Sequence, residues 1–335
     1  MFERYAQEAA FAVETVSEAA ALAHKIESEM VVTGIEKDDR SPVTVADFAA
    51  QALAASRLID RFPDDPLVAE ERSRLLRTED NGPLADVMRY VRTVRPHAQP
   101  RQLFEWIDHG AGQPAGRFWT LDPIDGTAGF LRHDQWVVAL ALIQSGRVVL
   151  GALACPHLDD DLQPTHGGTG TVVIAVRGEG AWAAAAGSDD YRQLQTSSRQ
   201  EPVAARLMGS VEPGHTDMAM MARVRARLGI QAPVVKMDSQ AKFAAVAGGQ
   251  ADLILRLLSP DHPDYKEKIW DQAAGSLIVH EAGGKVTDLR GQPLDFSKGG
   301  RLTANSGVLV SNGLLHAAVL AALAAEGAAE INGAR

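Results

Sequence analysis

Two aspartates three residues apart, Asp122 and Asp125, close an apolar run in Phe118-Trp-Thr-Leu-Asp-Pro-Ile-Asp-Gly-Thr127. Phe118 to Leu121 reads as a buried strand. Pro123 between the acids fixes one backbone dihedral and removes an amide donor, so the strand is expected to end in a stiff turn. A helix is expected to begin at Gly126-Thr127, its free amides pointing back toward the carboxylates. Amides at a helix start form an anion site, and paired carboxylates form a cation site. A cation site touching an anion site is what metal-assisted phosphate chemistry requires.

Other acids and bases are candidates to join this pair. Glu70 and Glu71 stop a brief apolar strand, Leu67-Val-Ala69, much as the aspartates stop theirs. Adjacent acids at a strand end are more often solvated surface, so the pair alone says little. Asp271, in Trp270-Asp-Gln-Ala-Ala-Gly-Ser276, is expected in the first turn of a helix, where an acid ordinarily serves as cap. Ala273, Ala274 and Gly275 leave that helix bare enough for a backbone or an ion to approach. His215, Lys242 and Arg256 are the basic residues that could grip an anion. Lys242 falls early in a helix, where the dipole gives a cation nothing. Arg256 lies inside Leu253-Ile-Leu-Arg-Leu-Leu258, and such an arginine more often faces solvent or a buried acid. Asp159-Asp-Asp161 has ligand types, but its Gln, Pro, His and Gly neighbours make it a solvated loop.

Tyr5, Ala9, Val13, Val16, Ala20, Ala23, Ile26 and Met30 recur at helical spacing and predict one long amphipathic helix. A second helix is expected from about Asp47, as its N-cap, to Arg61. About fifty residues separate Glu71 from the aspartate stretch, and their Leu, Val and Met pattern predicts at least one helix. Trp136 to Ile143 and Arg147 to Ala154 predict a hairpin, and Thr171 to Val176 with Gly180 to Ala184 another. Beyond about residue 190 helix and strand alternate: helices over 217–228, 240–247, 270–281 and from 314, strands over 234–237, 253–257, 285–287 and 308–311. Hairpins first and alternation second predict two sub-domains, 1–160 and 161–330.

The bulk numbers set limits. With 335 residues, 46% hydrophobic and 23% charged, the chain is of ordinary globular composition and can bury a large core. A formal net charge of −10 argues against nonspecific nucleic-acid or membrane binding, so an anionic substrate would need cations or local basic residues. Cys155 is the single cysteine, set among apolar neighbours, and reads as a buried inert thiol in a reducing compartment. The N-terminus lacks a signal-peptide core, and the longest apolar run, Val137 to Ile143, is too short to span a bilayer. A cytoplasmic enzyme is the expectation.

Asp122-Pro-Ile-Asp-Gly-Thr127 and Trp270-Asp-Gln-Ala-Ala-Gly275 resemble the two signatures of the inositol monophosphatase superfamily of magnesium-dependent phosphatases. Within it the chain is most similar to the 3′(2′),5′-bisphosphate nucleotidase branch. Ser41-Pro-Val-Thr-Val-Ala-Asp47, Phe62-Pro-Asp-Asp65, Gly116-Arg-Phe-Trp119, Gly129-Phe-Leu-Arg132, Asp238-Ser-Gln-Ala-Lys242 and Lys266-Glu-Lys-Ile-Trp-Asp271 carry that similarity. The resemblance covers residues 5 to 325 and implies a layered αβαβα sugar-phosphatase fold of mixed α+β and α/β type. It makes Glu70, Asp122, Asp125, Asp271 and the Ile124 carbonyl ligands for two or three Mg²⁺ ions, with Glu71 behind them. Asp47 and Thr127 would position the attacking water; Gly126 and Thr127 would hold the phosphate; His215, Ser239, Lys242 and Arg256 would line the nucleotide pocket. Three departures stand out: Ala128 in place of the branch's usual lysine, Ala69 in place of glycine, and His133-Asp134 in place of a Gly-Glu pair.

The implied reaction is hydrolysis of the 3′-phosphate of adenosine 3′,5′-bisphosphate to AMP and phosphate, with the sulfated analogue as a second substrate. The implied protein is a monomer or weak homodimer. An inositol polyphosphate 1-phosphatase and an inositol monophosphatase are the rival enzymes, and a non-catalytic nucleotide sensor is the rival outside enzymes.

Overall fold

The long helix expected at the start of the chain forms as α1 (Ala6–Glu29), whose buried stripe includes Ala12, Val16, Ala19, Ala23 and Ile26. The structure, a computed structural model, describes residues 2–29, 35–36, 42–77, 82–211 and 216–328. Met30, Ser41, His215 and the tail after 328 therefore lie outside the described residues. A small antiparallel ribbon, β1 (Ile35–Glu36) with β2 (Pro42–Val43), leads into α2 (Val45–Arg61).

The start of α2 differs from expectation. Thr44, not Asp47, is the N-cap: its hydroxyl accepts the Ala46 amide, while Asp47 reaches back to the Thr44 N–H at 2.7 Å. Thr-x-x-Asp thus closes a reciprocal capping box, and Asp47 occupies the third helical position.

After β3 (Leu67–Ala69), the fifty-residue stretch folds into a 3₁₀ turn at Ser73–Leu76 and two helices, α3 (Gly82–Val94) and α4 (Pro100–His109). Then come β4 (Arg117–Asp125), α5 (Thr127–Leu131), β5 (Val137–Gln144) and β6 (Arg147–Cys155). They are followed by β7 (Thr171–Val176), β8 (Ala181–Ala185) and β9 (Arg192–Gln193). These strands form a seven-stranded sheet in the order β3-β4-β5-β6-β7-β8-β9, antiparallel except where β3 runs parallel to β4.

The expected break at residue 160 falls inside this sheet. β7 pairs along β6 from Leu150↔Val176 to Cys155↔Thr171, so the hairpins on either side of residue 160 are continuous. The second sheet begins only at β10 (Leu207–Gly209), a strand the sequence pattern does not announce. Beyond it lie α6 (Met218–Leu228), β11 (Val235–Lys236), α7 (Ala241–Ala247) and β12 (Leu253–Arg256). The last elements are α8 (Ala273–Glu281), β13 (Lys285–Thr287), β14 (Val308–Ser311) and α9 (His316–Ala325). The five-stranded order is β11-β10-β12-β14-β13.

Alternation along the strands creates the layers. In β5, Val138, Leu140 and Leu142 pack toward α1 and α2, while Val137, Ala139, Ala141 and Ile143 pack toward α7 and α8. Both faces are buried, which is why the strand reads as an unbroken apolar run. In the second sheet, Met208, Ile254, Val308 and Val310 face the same α7 and α8 layer. Their neighbours Leu207, Leu253, Leu255 and Leu309 face α6 and α9. The layers are therefore α1/α2, sheet, α7/α8, sheet, α6/α9: the expected αβαβα order.

The middle layer is tight. A Cβ added at Gly151 of β6 would lie 2.8 Å from the Ala274 Cα and carbonyl oxygen of α8. Because α8 follows directly on Asp271, this backbone contact helps set the height of that acid. Replacing Gly151 by Val is expected to destabilise the fold by about 1–3 kcal/mol through overpacking. Gly116→Ala, with no heavy atom within 4 Å of the added carbon, should shift stability by less than ~0.5 kcal/mol. Equilibrium urea unfolding of the two variants checks the contrast, and equal midpoints would contradict it.

Candidate active site

Strand register brings the first two acids together. β3 and β4 run parallel with Leu67 beside Trp119 and Ala69 beside Leu121, so the next residues, Glu70 and Asp122, stand at the same level. Glu71 is buried, and its peptide is gripped from both sides by Gln51 of α2. The Gln51 amide donates to the Glu71 carbonyl at 2.9 Å and its oxygen accepts the Glu71 N–H at 2.9 Å. Neutral, buried and fully engaged, Gln51 fixes the main chain that carries Glu70.

Pro123 does not end the strand. β4 continues to Asp125 with a register irregularity between Asp122 and Asp125, and Ile124 points into the core. The bulge turns both carboxylates to one side, a common device for re-aiming side chains at the edge of a site. Gly126 then takes φ +90°, a left-handed conformation that suits glycine, and its α carbon faces Ser239 so closely that a Cβ would come within 2.9 Å. α5 spans only five residues, so an anion there would rest on individual amides rather than on a helix dipole of consequence.

Asp47 and Thr127 meet as expected. Both donors of Thr44 occupy Asp47 Oδ2 at 2.7 Å, which fixes the carboxylate plane. The Thr127 hydroxyl lies 3.3 Å from Asp47 Oδ1 and 3.1 Å from the Ile124 carbonyl.

The far side of the centre comes from the second half of the chain. The Gln240 backbone N–H donates to Asp125 Oδ2 at 2.6 Å. Its side chain donates to the Trp270 carbonyl at 3.0 Å and accepts the Gly275 N–H at 2.9 Å. One residue therefore ties Asp125 to the segment bearing Asp271. Asp271 itself is not in the first turn of α8. Gln272 is the N-cap, and Asp271 precedes it, because the chain first makes a bridge between Lys268 and Arg301.

The electrostatics are those of crowded anions. Burial, then the charges of Glu70, Asp125, Asp271 and Asp47, push the Asp122 carboxyl well above the usual carboxylate range. Asp122 Oδ1 is buried without a hydrogen-bond partner. Burial, followed by Asp125, Glu70 and Glu267, likewise drives Asp271 well up. Burial raises Asp125 too, but Lys242, the Gln240 N–H and Arg256 oppose the rise. An orphaned buried carboxylate oxygen among three further acids fits a cation with oxygen preference.

Of the basic residues, Lys242 is buried and donates to the Met237 carbonyl at 3.1 Å. Burial pushes its ammonium down to about 8 against the pull of Asp125. Ser239, between Gly126 and α7, takes φ +61°, an uncommon conformation for a residue with a Cβ. Arg256 faces a buried acid, as strand arginines between leucines often do: its Nε donates to Glu267 Oε1 at 2.8 Å, and Gln272 donates to the other Glu267 oxygen at 3.1 Å. Its charge still reaches Asp125 and Asp271. Gln51, Gln240 and Glu267 are the residues that sequence reasoning missed. Gln240 and Glu267 do lie inside the quoted segments Asp238–Lys242 and Lys266–Asp271, but nothing local marks them.

The chain is similar to known proteins over nearly its whole length. A 3′(2′),5′-bisphosphate nucleotidase of Emericella nidulans is 40% identical over 349 residues, spanning 96% of this chain and 97% of its own length. One of Schizosaccharomyces pombe is 38% identical over 320 residues, spanning 90% of each chain. The Thermotoga maritima IMPase TM1415 shares the fold with a TM-score of 0.66 at 20% identity, covering 97% of this chain and 100% of its own. The inositol monophosphatase family model itself matches residues 4–328. From its carboxylate-lined strand ends to its fifth layer, the chain belongs to the inositol monophosphatase family.

Proposed function

We propose that the protein is a Mg²⁺-dependent 3′(2′),5′-bisphosphate nucleotidase that releases the 3′-phosphate of adenosine 3′,5′-bisphosphate, leaving AMP, and also accepts the sulfated analogue. The observation that carries the reading is Asp122: a buried carboxylate oxygen without a partner, crowded by Glu70, Asp125 and Asp271, in a chain whose relatives are nucleotidases. Those four acids and the Ile124 carbonyl would hold two or three Mg²⁺ ions, with Glu71 supporting the peptide behind them. Bound there, such ions supply charge for the phosphoryl oxygens and a more acidic water.

The chain's own residues account for the remaining steps. Asp47, locked by Thr44, receives the Thr127 hydroxyl proton in a hydrogen bond, leaving a Thr127 lone pair to accept from water. Water so held presents its oxygen to phosphorus; the new P–O bond forms in line as the ester P–O bond breaks, a proton of the water passes to the Thr127 oxygen as the Thr127 proton passes to Asp47, and the leaving 3′-oxygen takes a proton from solvent. Amides at Gly126 and Thr127 would hold the phosphate oxygens. Ser239, Lys242, Arg256 and His215 would bind the nucleotide, with Lys242 gaining charge as a second phosphate offsets its burial. The protein would act as a monomer or weak homodimer; a cytoplasmic location fits the single buried cysteine, whose thiol burial pushes up, and no helix among the described residues is long and apolar enough to cross a membrane.

Phosphate release from adenosine 3′,5′-bisphosphate, inositol 1-phosphate and inositol 1,4-bisphosphate, with and without Mg²⁺, tests the reading. The nucleotide should be turned over only with the ion. Good turnover of an inositol phosphate beside none of the nucleotide would reject it in favour of an inositol phosphatase, and turnover of nothing would favour a sensor.

Thr127→Ala and Asp47→Asn should each lower kcat by about 10²–10⁴-fold while keeping the stabilisation by Mg²⁺. Unchanged kcat would remove the pair from the water-positioning role. Asp122→Asn should lower kcat by more than about a hundredfold, since even partners of metal ligands cost about 10–100-fold. It also has a stability signature. A raised carboxyl favours the fold in its protonated form, a contribution present at low pH and lost as pH rises through its folded-state value. Metal-free wild type should therefore lose stability relative to metal-free Asp122→Asn as pH rises above the ordinary carboxylate range. Saturating Mg²⁺ should restore wild type alone, by about 2.7 kcal/mol at a hundredfold excess over Kd. Thermal melts of both proteins with and without the ion read this difference.

A further inference from the structure

A second group of ligating side chains lies at the C-terminal end of α1, where it meets the turns before β5 and after β6. Glu27 of α1 is 5% exposed. His24, one helical turn earlier on the same face, brings Nδ1 to 3.0 Å from Glu27 Oε2. His157, two residues beyond β6 and also buried, places Nε2 at 3.2 Å from each Glu27 oxygen. These three ligand atoms all lie within 4.8 Å of one another. His133 Nδ1 approaches Glu27 Oε1 at 3.5 Å, and Trp136 Nε1 donates to the same oxygen at 3.3 Å.

The spacing and the ligand types agree on one class of ion. Around a tetrahedral ion with bonds of about 2.0–2.1 Å, neighbouring ligand atoms stand about 3.3 Å apart, close to the 3.0 Å and 3.2 Å that separate His24 and His157 from Glu27. Two imidazoles and a carboxylate form a nitrogen-rich set that suits Zn²⁺ and is poor for Mg²⁺, which prefers oxygens alone. Burial alone would raise the Glu27 carboxyl. Instead His157, by hydrogen bond and charge, and His24 and Trp136 by hydrogen bonds, hold it below the usual range, ready to bind a cation as an anion. The ordinary account of the cluster is hydrogen bonding between histidines and a carboxylate at similar distances, and the experiment has to separate the two.

We propose that His24, Glu27 and His157 form a site for one divalent first-row transition ion, Zn²⁺ by its ligand chemistry, with solvent as the fourth ligand. The ion would clamp α1 to the turn that follows β6. It is separate from the oxygen-ligand centre, and its failure would leave the proposed nucleotidase reading untouched.

The test uses the full chain, stripped with EDTA, returned to excess Mg²⁺ and titrated with Co²⁺ as the visible probe. One equivalent should give the intense ligand-field bands of tetrahedral Co²⁺ with nitrogen ligands, and Zn²⁺ should abolish them. His24 has a side chain 55% exposed, so His24→Gln leaves the core packed, and it should weaken Co²⁺ binding by more than about tenfold. Asp122→Asn should retain the bands. Absence of tetrahedral bands in wild type overturns the proposal. So does unchanged Co²⁺ affinity in His24→Gln, and so does loss of the bands in Asp122→Asn, which would place the ion at the other centre.

Discussion

Mutual repulsion among crowded carboxylates, one buried and three half-buried, is the constraint on which the rest of this structure depends. Glu70, Asp122, Asp125 and Asp271 come from three separate stretches of chain, and burial with like charge makes their convergence unfavourable in itself. Removing an unpaired ion from water costs several kcal/mol, so the surrounding fold must hold the acids where they would not stay alone. The parallel β3–β4 register fixes two of them, and the Gln51 clamp on the Glu71 peptide keeps the strand end from relaxing outward. The Gln240 amide holds the third and, through Trp270 and Gly275, the segment of the fourth. Both clamps are neutral amides, which brace the backbone without cancelling the charge that a cation would use.

The layers divide this labour. The first sheet, with α2 and α5, supplies Asp47, Glu70, Asp122, Asp125 and Thr127. The middle helices α7 and α8 carry Lys242 and follow Asp271, and they are shared by both sheets. Close contacts such as Gly151 with Ala274 and Gly126 with Ser239 allow the two halves to meet at backbone distance. A side chain larger than hydrogen at either glycine would separate ligands contributed by different sheets.

Much of this was legible from sequence where the signal is local. The hairpins of β5 to β8 follow from apolar runs and turn residues, and α1 and α2 from helical spacing. The acids at strand ends stand out because charge interrupts an apolar run. Legibility fails where the information is long-range. Gln51 reaches Glu71 across twenty residues, and Gln240 reaches Asp125 across 115, so no spacing along the chain marks either. The start of α8 was misplaced because Trp270 and Asp271 continue the apolar and small pattern of the helix, while the bridge at Lys268 diverts the backbone first. β10 and β9 were missed because strands of two or three residues carry too little periodicity. Thr44 and Asp47 show the opposite case: the capping-box pattern was present in the letters, and only its offset separated cap from partner.

The seven-stranded sheet has one further consequence, at its margins. Its interior strands are long, apolar and rich in β-branched residues, the composition that templates fibrils when an edge is left open. Here the outermost strands are β3, three residues long, and β9, two residues long with arginine and glutamine exposed. The free side of β3 is further occupied by Ala111, which bridges Val68. An incoming chain therefore finds no run of open backbone groups on which to register. Such short margins leave this sheet little open edge on which copies of the protein could pair in cross-β growth.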